Sequence, residues 1–150
     1  MNTKHFFRSL AMLFVTLMGW IMPQVVWAEY DGTPVRPTGE GTESDPYQIA
    51  TAAHLYWFAA LVNGDSKVCT GGIARNEKAN AILTADIVVN DTTDWEKWGT
   101  DDFNDKDLIK WTPIGDGIYY KMYGGNFDGN GHTISGLYFN DGSADYVGLF

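Results

Sequence analysis

One stretch beyond the N-terminal 28 residues has apolar residues at the spacing of an α-helix, and this constrains the fold most. Four residues recur at i, i+3, i+4 and i+7 and would share one helical face: Leu55, Phe58, Ala59 and Val62. Thr51 precedes the run as a candidate N-cap, and Gly64 follows it as a natural stop. The spacing therefore predicts one helix over about 52–63, and the rest must fold from strands and loops.

The remaining apolar runs are short and are bounded by turn residues, which is typical of strands. In the run ILTADIVV at 82–89, every second residue would lie on one side of a strand. The motif DGNG at 128–131 predicts a tight turn between two strands within 123–140, because Asp-Gly and Asn-Gly are strong turn signals. Shorter strands are predicted at 45–49, 111–115 and 146–150. The chain is therefore predicted to be mainly β.

The first 28 residues have the order of a secretory signal peptide. Lys4 and Arg8 precede an almost wholly apolar stretch at 10–22, and Val26, Trp27 and Ala28 follow as a cleavage site. The apolar stretch is shorter than the roughly 20 residues of a membrane-spanning helix. An uncleaved N-terminal anchor is the alternative. We expect an exported protein, secreted or at the cell surface, with no integral membrane segment after cleavage.

The predicted mature chain is strongly acidic, and this excludes some partners. Removal of residues 1–28 takes away two positive charges and no acid, so the net charge falls from −9 to −11. Nucleic acid and anionic lipid are bound mainly through Lys and Arg, so neither is an expected partner. Residues 29–44 are rich in Gly, Pro, Thr and Ser and are predicted to form a flexible linker before a folded part at 45–150.

The ordered part of the chain resembles a family of bacterial surface proteins. The resemblance covers 41–150 and lies in the strings GT at 41–42, DPYQI at 45–49, LYWFA at 55–59, LTADI at 83–87, WTPIG at 111–115, GNFDGNGHTISGL at 125–137 and VGLF at 147–150. Their order is similar to the N-terminal cap and first coils of proteins that carry GLUG-type repeats. That resemblance implies a right-handed parallel β-helix with one N-terminal capping helix. An antiparallel β-sandwich of meander hairpins is the alternative.

In a β-helix, successive coils stack and bury one face of each strand. Eight residues are predicted to point inward: Ile87, Val89, Ile114, Phe127, Ile134, Leu137, Val147 and Leu149. The sequence ends on an apolar run, so we expect a product truncated at its C-terminus and self-association through an open sheet edge.

The resemblance implies a non-enzymatic, adhesin-like or capping role in a repeat protein, with a host or environmental glycan or protein as partner. The alternative is the non-catalytic N-terminal part of an exported enzyme. Such an enzyme would be a polysaccharide-active β-helix or an immunoglobulin A1 protease-type metallopeptidase.

Residues 90–110 form an acidic insertion with seven acids and three lysines. Four of its acids are calcium candidates because Ca²⁺ takes six to eight oxygen ligands: Asp101, Asp102, Asp105 and Asp107. A solvated acidic loop is the favoured interpretation. Trp95 and Trp98 could form a platform for a glycan, but we favour an aromatic cover over the folded part.

No catalytic motif stands out, so the chain is predicted not to be an enzyme and to hold no cofactor. Asp86, Asp116 and Asp128 could line one outer face as acids and a base, but strand-entry and turn positions explain Asp86 and Asp128 better. His54 and His132 do not occur in a metal-ligand spacing. Cys69 is the single cysteine; we interpret it as a partly buried apolar residue, with intermolecular pairing as the alternative.

Overall fold

The computed structural model describes residues 30–115, 122–140, 142 and 147–150. The predicted signal peptide, Asp116 and Tyr146 lie outside these residues. Within them, no helix is both long and apolar enough to cross a bilayer.

One helix and five very short strands make up most of the regular structure. In chain order they are β1 (Tyr47–Ile49), α1 (Ala52–Asn63), β2 (Ala81–Leu83), β3 (Ile87–Val88), β4 (Phe127–Asp128) and β5 (Ile134–Ser135). Two 3₁₀ helices, Trp95–Lys97 and Asp105–Asp107, lie in the acidic insertion.

Helix α1 has the bounds that the sequence predicts, because both of its ends are specified locally. The Thr51 hydroxyl accepts a hydrogen bond from the His54 N–H at 3.2 Å. Gly64 has φ +76°, a left-handed conformation that closes the helix and is costly for residues with a Cβ. Leu55, Phe58 and Val62 are fully buried, so the predicted apolar face is the one that the helix buries.

All pairs between the described strands are parallel. Strands β1, β2 and β4 form one sheet in that order, and β3 and β5 form a second. Tyr47 pairs with Ala81, Ala81 pairs with Phe127, and Ile87 pairs with Ile134. The strands on the two sides of the DGNG turn do not pair with each other, so this turn does not close a hairpin.

The predicted right-handed parallel β-helix is wrong. No described strand exceeds three residues, and the two small sheets form neither a solenoid nor a closed sheet. The prediction of a mainly β chain is also wrong, because the single helix holds 12 residues and supplies much of the core. Long segments without strands at 64–80 and 90–110 separate the strands, so the strands do not recur at the regular interval of stacked coils.

The sequence predicts several strands that the structure shows differently. Residues 82–89 do not form one strand, because a bend near Ala85 separates β2 from β3. Residues 111–115 contain no strand, although Lys110 forms an isolated parallel bridge with Tyr138. Residues 147–150 contain none either. The Ile114 N–H donates to the Leu149 carbonyl at 2.9 Å, so the last two runs meet at one bond without forming a ladder.

The core lies between α1 and the inner faces of the two sheets. Of the eight residues predicted to point inward, Ile87, Val89 and Ile114 are buried. Four others are half-buried against the core: Phe127, Ile134, Leu137 and Leu149. Val147 is 59% exposed, so the prediction for this residue is wrong.

The segment predicted as a linker follows the surface of the folded part from Tyr30 onward. Tyr30 is buried, and its ring stacks on that of Tyr56 with 4.6 Å between ring centroids. The Val35 N–H donates to the Ala53 carbonyl at 3.1 Å, and the Gln48 N–H donates to the Thr38 carbonyl at 2.9 Å. The second of these bonds covers the outer edge of β1.

The first testable prediction concerns His54, whose pKa burial lowers below its usual 6.5. Its Nδ1 accepts from the Ala50 N–H at 3.3 Å, which requires the unprotonated nitrogen. The unfolded chain therefore takes up this proton more readily, and the stabilisation present above about pH 6.5 is lost as the pH falls. We expect the melting temperature to fall between about pH 7 and 5, and to fall less in His54→Gln.

The carboxylates are not expected to cause this fall in melting temperature. The pKa values of Asp31, Asp86 and Asp91 are lowered by hydrogen bonds from Thr33, Thr133 and Thr93, so these groups affect stability only at more acidic pH. An identical melting curve for wild type and His54→Gln at each pH in that range would contradict the assignment to His54.

Candidate functional site

The acidic insertion is held in place at its base by Asn90, which is 7% exposed. Its side-chain amide donates to the carbonyls of Ile109 at 3.0 Å and Gly136 at 2.8 Å. Its side-chain oxygen accepts from the Ile109 N–H at 2.7 Å. One asparagine therefore joins the two ends of the insertion to each other and to the segment after β5.

Tyr138 fixes the middle of the insertion. Its hydroxyl donates to the Asp105 carboxylate at 2.6 Å, and this bond raises the pKa of Tyr138. The Trp98 ring packs edge-on against the Tyr138 ring, with centroids 5.8 Å apart. The insertion is thus anchored to the folded part at three points and is a shaped surface rather than only a solvated loop.

A groove runs between β3, the insertion and Tyr30, with a volume of about 760 Å³. We call it the β3 groove; it is lined by Tyr30, Val88, Val89, Asn90, Asp91, Thr92, Thr93, Asp94, Phe103, Asp107, Leu108 and Ile109. Its lining combines apolar side chains with three carboxylates. Burial raises the pKa of Tyr30 to about 12, so its hydroxyl stays protonated and can donate a hydrogen bond.

The structure does not bring the four calcium candidates together. Asp105 accepts from Tyr138 and from the Gly99 N–H, and Asp107 accepts from the Asn104 amide at 3.0 Å. Asp101 and Asp102 are exposed. Within residues 30–115, 122–140, 142 and 147–150, no three or more His, Cys, Asp or Glu side chains are placed to hold a metal ion.

The two tryptophans have different environments. Trp95 is 60% exposed, whereas Trp98 lies over Tyr138 with its indole N–H buried and unpartnered among the described residues. Trp98 therefore covers the folded part, and only Trp95 presents its ring to solvent. Neither of them lines the β3 groove.

The candidate catalytic acids occupy local structural positions. Asp86 accepts from the Thr133 N–H at 2.8 Å and lies 3.4 Å from His132 Nδ1. Asp128 accepts from the Asn130 N–H at 2.8 Å within the DGNG turn. Asp116, the third candidate acid, lies outside the described residues.

Cys69 is half-buried beside the last turn of α1, and burial raises the pKa of its thiol. Its Sγ lies 3.9 Å from the Ala60 carbonyl oxygen and 3.8 Å from that of Leu61. The thiol is therefore a weak donor to the end of the helix.

Sequence reasoning missed both Asn90 and the β3 groove. Asn90 follows a predicted strand as an ordinary polar residue, and its partner Gly136 lies 46 positions away. Tyr30 lies at the start of a segment without periodicity. No local pattern signals either contact, because both depend on the pairing of β3 with β5.

A second testable prediction concerns Gly136, whose φ is +73° and which lies against the Asn90 backbone. A Cβ added there would lie 2.3 Å from the Asn90 carbonyl oxygen. We expect Gly136→Ala to lower the free energy of unfolding by about 2 kcal/mol or more, as backbone strain and overpacking add. Chemical denaturation measures the loss.

Gly131→Ala is the matched control for that substitution. Gly131 has φ +77°, but a Cβ there would meet nothing within 4 Å. Gly131→Ala should therefore lower the free energy of unfolding by about 1 kcal/mol, from backbone strain alone. Equal losses in the two variants would show that residue 136 does not approach Asn90 closely.

No family model matches the chain. The chain is similar to Halomucin of Haloquadratum walsbyi, with 34% identity over 123 residues, which is 80% of this chain. It spans only 1% of the length of that protein. No solved structure matches.

Proposed function

We propose that this chain is part of an exported surface protein that acts by binding a glycan or a protein rather than by catalysis. The observation that carries the proposal is the order of residues 1–28, in which a basic start, a short apolar stretch and a small residue at position 28 follow one another. The resemblance to surface proteins with GLUG-type repeats supports the same class, and the similarity to Halomucin is compatible with it.

The geometry of the described acids supports a binding role. Asp91 and Asp128 each accept a hydrogen bond from the backbone N–H two residues on, whereas Asp86 accepts one from the Thr133 N–H, 47 residues away beside β5. The bonds from Thr93 and Thr133 favour the ionised carboxylates, and the pKa values of Asp91 and Asp86 are lowered. A general acid needs a pKa near the working pH, which is the opposite direction. The β3 groove is a concave surface where a ligand could be held instead.

The first experiment tests export. The full chain with a C-terminal epitope is expressed in a bacterium, and the exported product is sequenced from its N-terminus. We expect the product to begin at Glu29 and the epitope to be accessible to antibody on intact cells or in the medium. Leu13→Arg should block export because it places a charge in the apolar stretch, whereas Leu13→Ile should not. Retention in the cytosol with Met1 to Ala28 intact would contradict the proposal.

The second experiment tests the proposal that the chain does not act by catalysis. The purified exported chain is incubated with polysaccharide and protein substrates, and released sugars or peptides are followed over time. We expect no turnover. Saturable turnover that increases in proportion to the protein concentration would overturn the proposal.

A further inference from the structure

The outer edge of β3 has backbone groups that pair with no other described strand. The Ile87 N–H donates to the carbonyl of Thr133, just before β5, at 2.8 Å, and the Val89 N–H donates to the carbonyl of Ser135 in β5 at 3.0 Å. Successive N–H groups along a strand point in opposite directions, so the N–H and C=O of Val88 point away from β5. Among the described residues, no third strand lies on that side of the sheet. Val88 is also one of the residues that line the β3 groove.

The shape of the groove fits an extended chain. Its apolar lining includes Val88, Leu108 and Ile109, and Val88 is 36% exposed although it lies in a strand. An unpaired strand edge beside an apolar surface is the arrangement by which proteins add a peptide as an extra strand. The main chain of the added strand supplies hydrogen bonds, and alternate side chains supply specificity.

The charge of the groove fits a basic ligand. Asp91, Asp94 and Asp107 line it, whereas its lining contains no Lys or Arg. Lys97 pairs with Asp94 at 2.6 Å, so one of the three charges is partly neutralised. Asp91 and Asp107 have no cationic partner closer than 4.0 Å among the described residues, which leaves both available to a ligand cation.

We propose that the β3 groove binds an extended, lysine- or arginine-containing segment of another polypeptide, which pairs with Val88 as an added strand. This inference rests on the proposed binding role and names its partner class. A second copy of this chain is disfavoured because each copy carries a net charge of −9, or −11 without residues 1–28. A neutral glycan would use neither the free backbone groups of Val88 nor the three carboxylate charges.

The probe is a dye-labelled peptide, Lys-Val-Lys-Val-Lys-Val, acetylated and amidated, titrated into the full exported chain and followed by fluorescence anisotropy. The acidic counterpart Glu-Val-Glu-Val-Glu-Val and the neutral sugar chitohexaose are the comparison ligands. We expect saturable binding of the basic peptide alone, with affinity that decreases as salt is added. Binding of chitohexaose but not of the basic peptide would overturn the inference.

Three substitutions at two residues locate the site. Val88→Pro removes the outward N–H without removing a donor to β5, and it should weaken binding about tenfold. Val88→Thr keeps the N–H and should bind within about twofold of wild type. Asp107→Asn should weaken binding about threefold, since an exposed charge contributes little. Equal affinity of wild type and Val88→Pro would show non-specific attraction and overturn the inference.

Amide exchange in the wild-type chain gives a result that does not depend on how the proline variant folds. Bound peptide should slow hydrogen exchange at the Val88 N–H, measured by NMR, and leave the already paired Ile87 N–H unchanged. Unchanged exchange at Val88 under saturating peptide would overturn strand addition. These measurements use purified protein, so they can fail while the export experiment succeeds, or the reverse.

Discussion

Replacing Phe58 by alanine is expected to lower the free energy of unfolding by about 3–5 kcal/mol, the usual loss for a fully buried aromatic side chain. Phe58 is 0% exposed and lies at the centre of the core. Its ring centroid is 6.3 Å from that of Tyr47 and 5.8 Å from that of Phe127. It therefore contacts β1 and β4 at once, and its loss would leave a cavity between α1 and the sheet. Urea denaturation followed by circular dichroism measures the effect.

The total stability of a small domain is about 5–15 kcal/mol, so this substitution should bring the chain close to unfolding at 37 °C. Phe150→Ala is the control, because it deletes the same group from a residue that is 53% exposed. Its ring stacks on Tyr123 at 5.6 Å, so a loss of about 1 kcal/mol is expected. A loss at Phe58 no larger than that at Phe150 would mean that α1 does not pack on the sheet.

Replacing Asn90 by alanine should cost about 3 kcal/mol, because it removes the partners of the half-buried Ile109 N–H and Gly136 carbonyl. Each unsatisfied buried group costs about 1–3 kcal/mol, and water reaching the base of the insertion would recover part of that. The same substitution should loosen the insertion. Limited trypsin digestion would then cut faster after Lys97 and Lys106.

Asn104→Ala is the control variant. It shows how much stability is lost when an asparagine that does not hold the base of the insertion is removed. Asn104 lies in the same insertion, and its side chain accepts from the Lys106 N–H and donates to Asp107 at the surface. Its loss should cost less than about 1 kcal/mol. If Asn90→Ala is as stable and as resistant to trypsin as Asn104→Ala, then Asn90 does not hold the insertion.

The parts of the fold that depend on near neighbours follow from the sequence. The helix is specified within 14 residues by Thr51, the apolar spacing and Gly64, and the structure has it with the predicted bounds. The DGNG turn also follows from its own residues, with Asn130 at φ +45° and Gly131 at φ +77°. Capping, side-chain spacing and positive φ are local properties, so local sequence is enough to specify them.

The strand pairs join residues that are far apart in the chain, and these pairs do not follow from the sequence. The strand segments on the two sides of the DGNG turn could pair with each other or with earlier strands. No pattern in the sequence distinguishes the two pairings. In the structure β4 pairs with β2 and β5 pairs with β3. The β-helix prediction was wrong because it extended a family resemblance over loops that leave only two- and three-residue strands.

The candidate site also combines features that follow from the sequence with features that do not. An acidic, aromatic insertion at 90–110 is evident from composition, whereas the different environments of Trp95 and Trp98 are seen only in the structure. The sequence by itself therefore determined the helix, its buried face, the turns and the charge of the surface. Only the tertiary structure decided which strands pair, that Asn90 meets Gly136, and that Tyr30 and Val88 border one groove. Those contacts join residues tens of positions apart, and their energies exist only once the chain has folded.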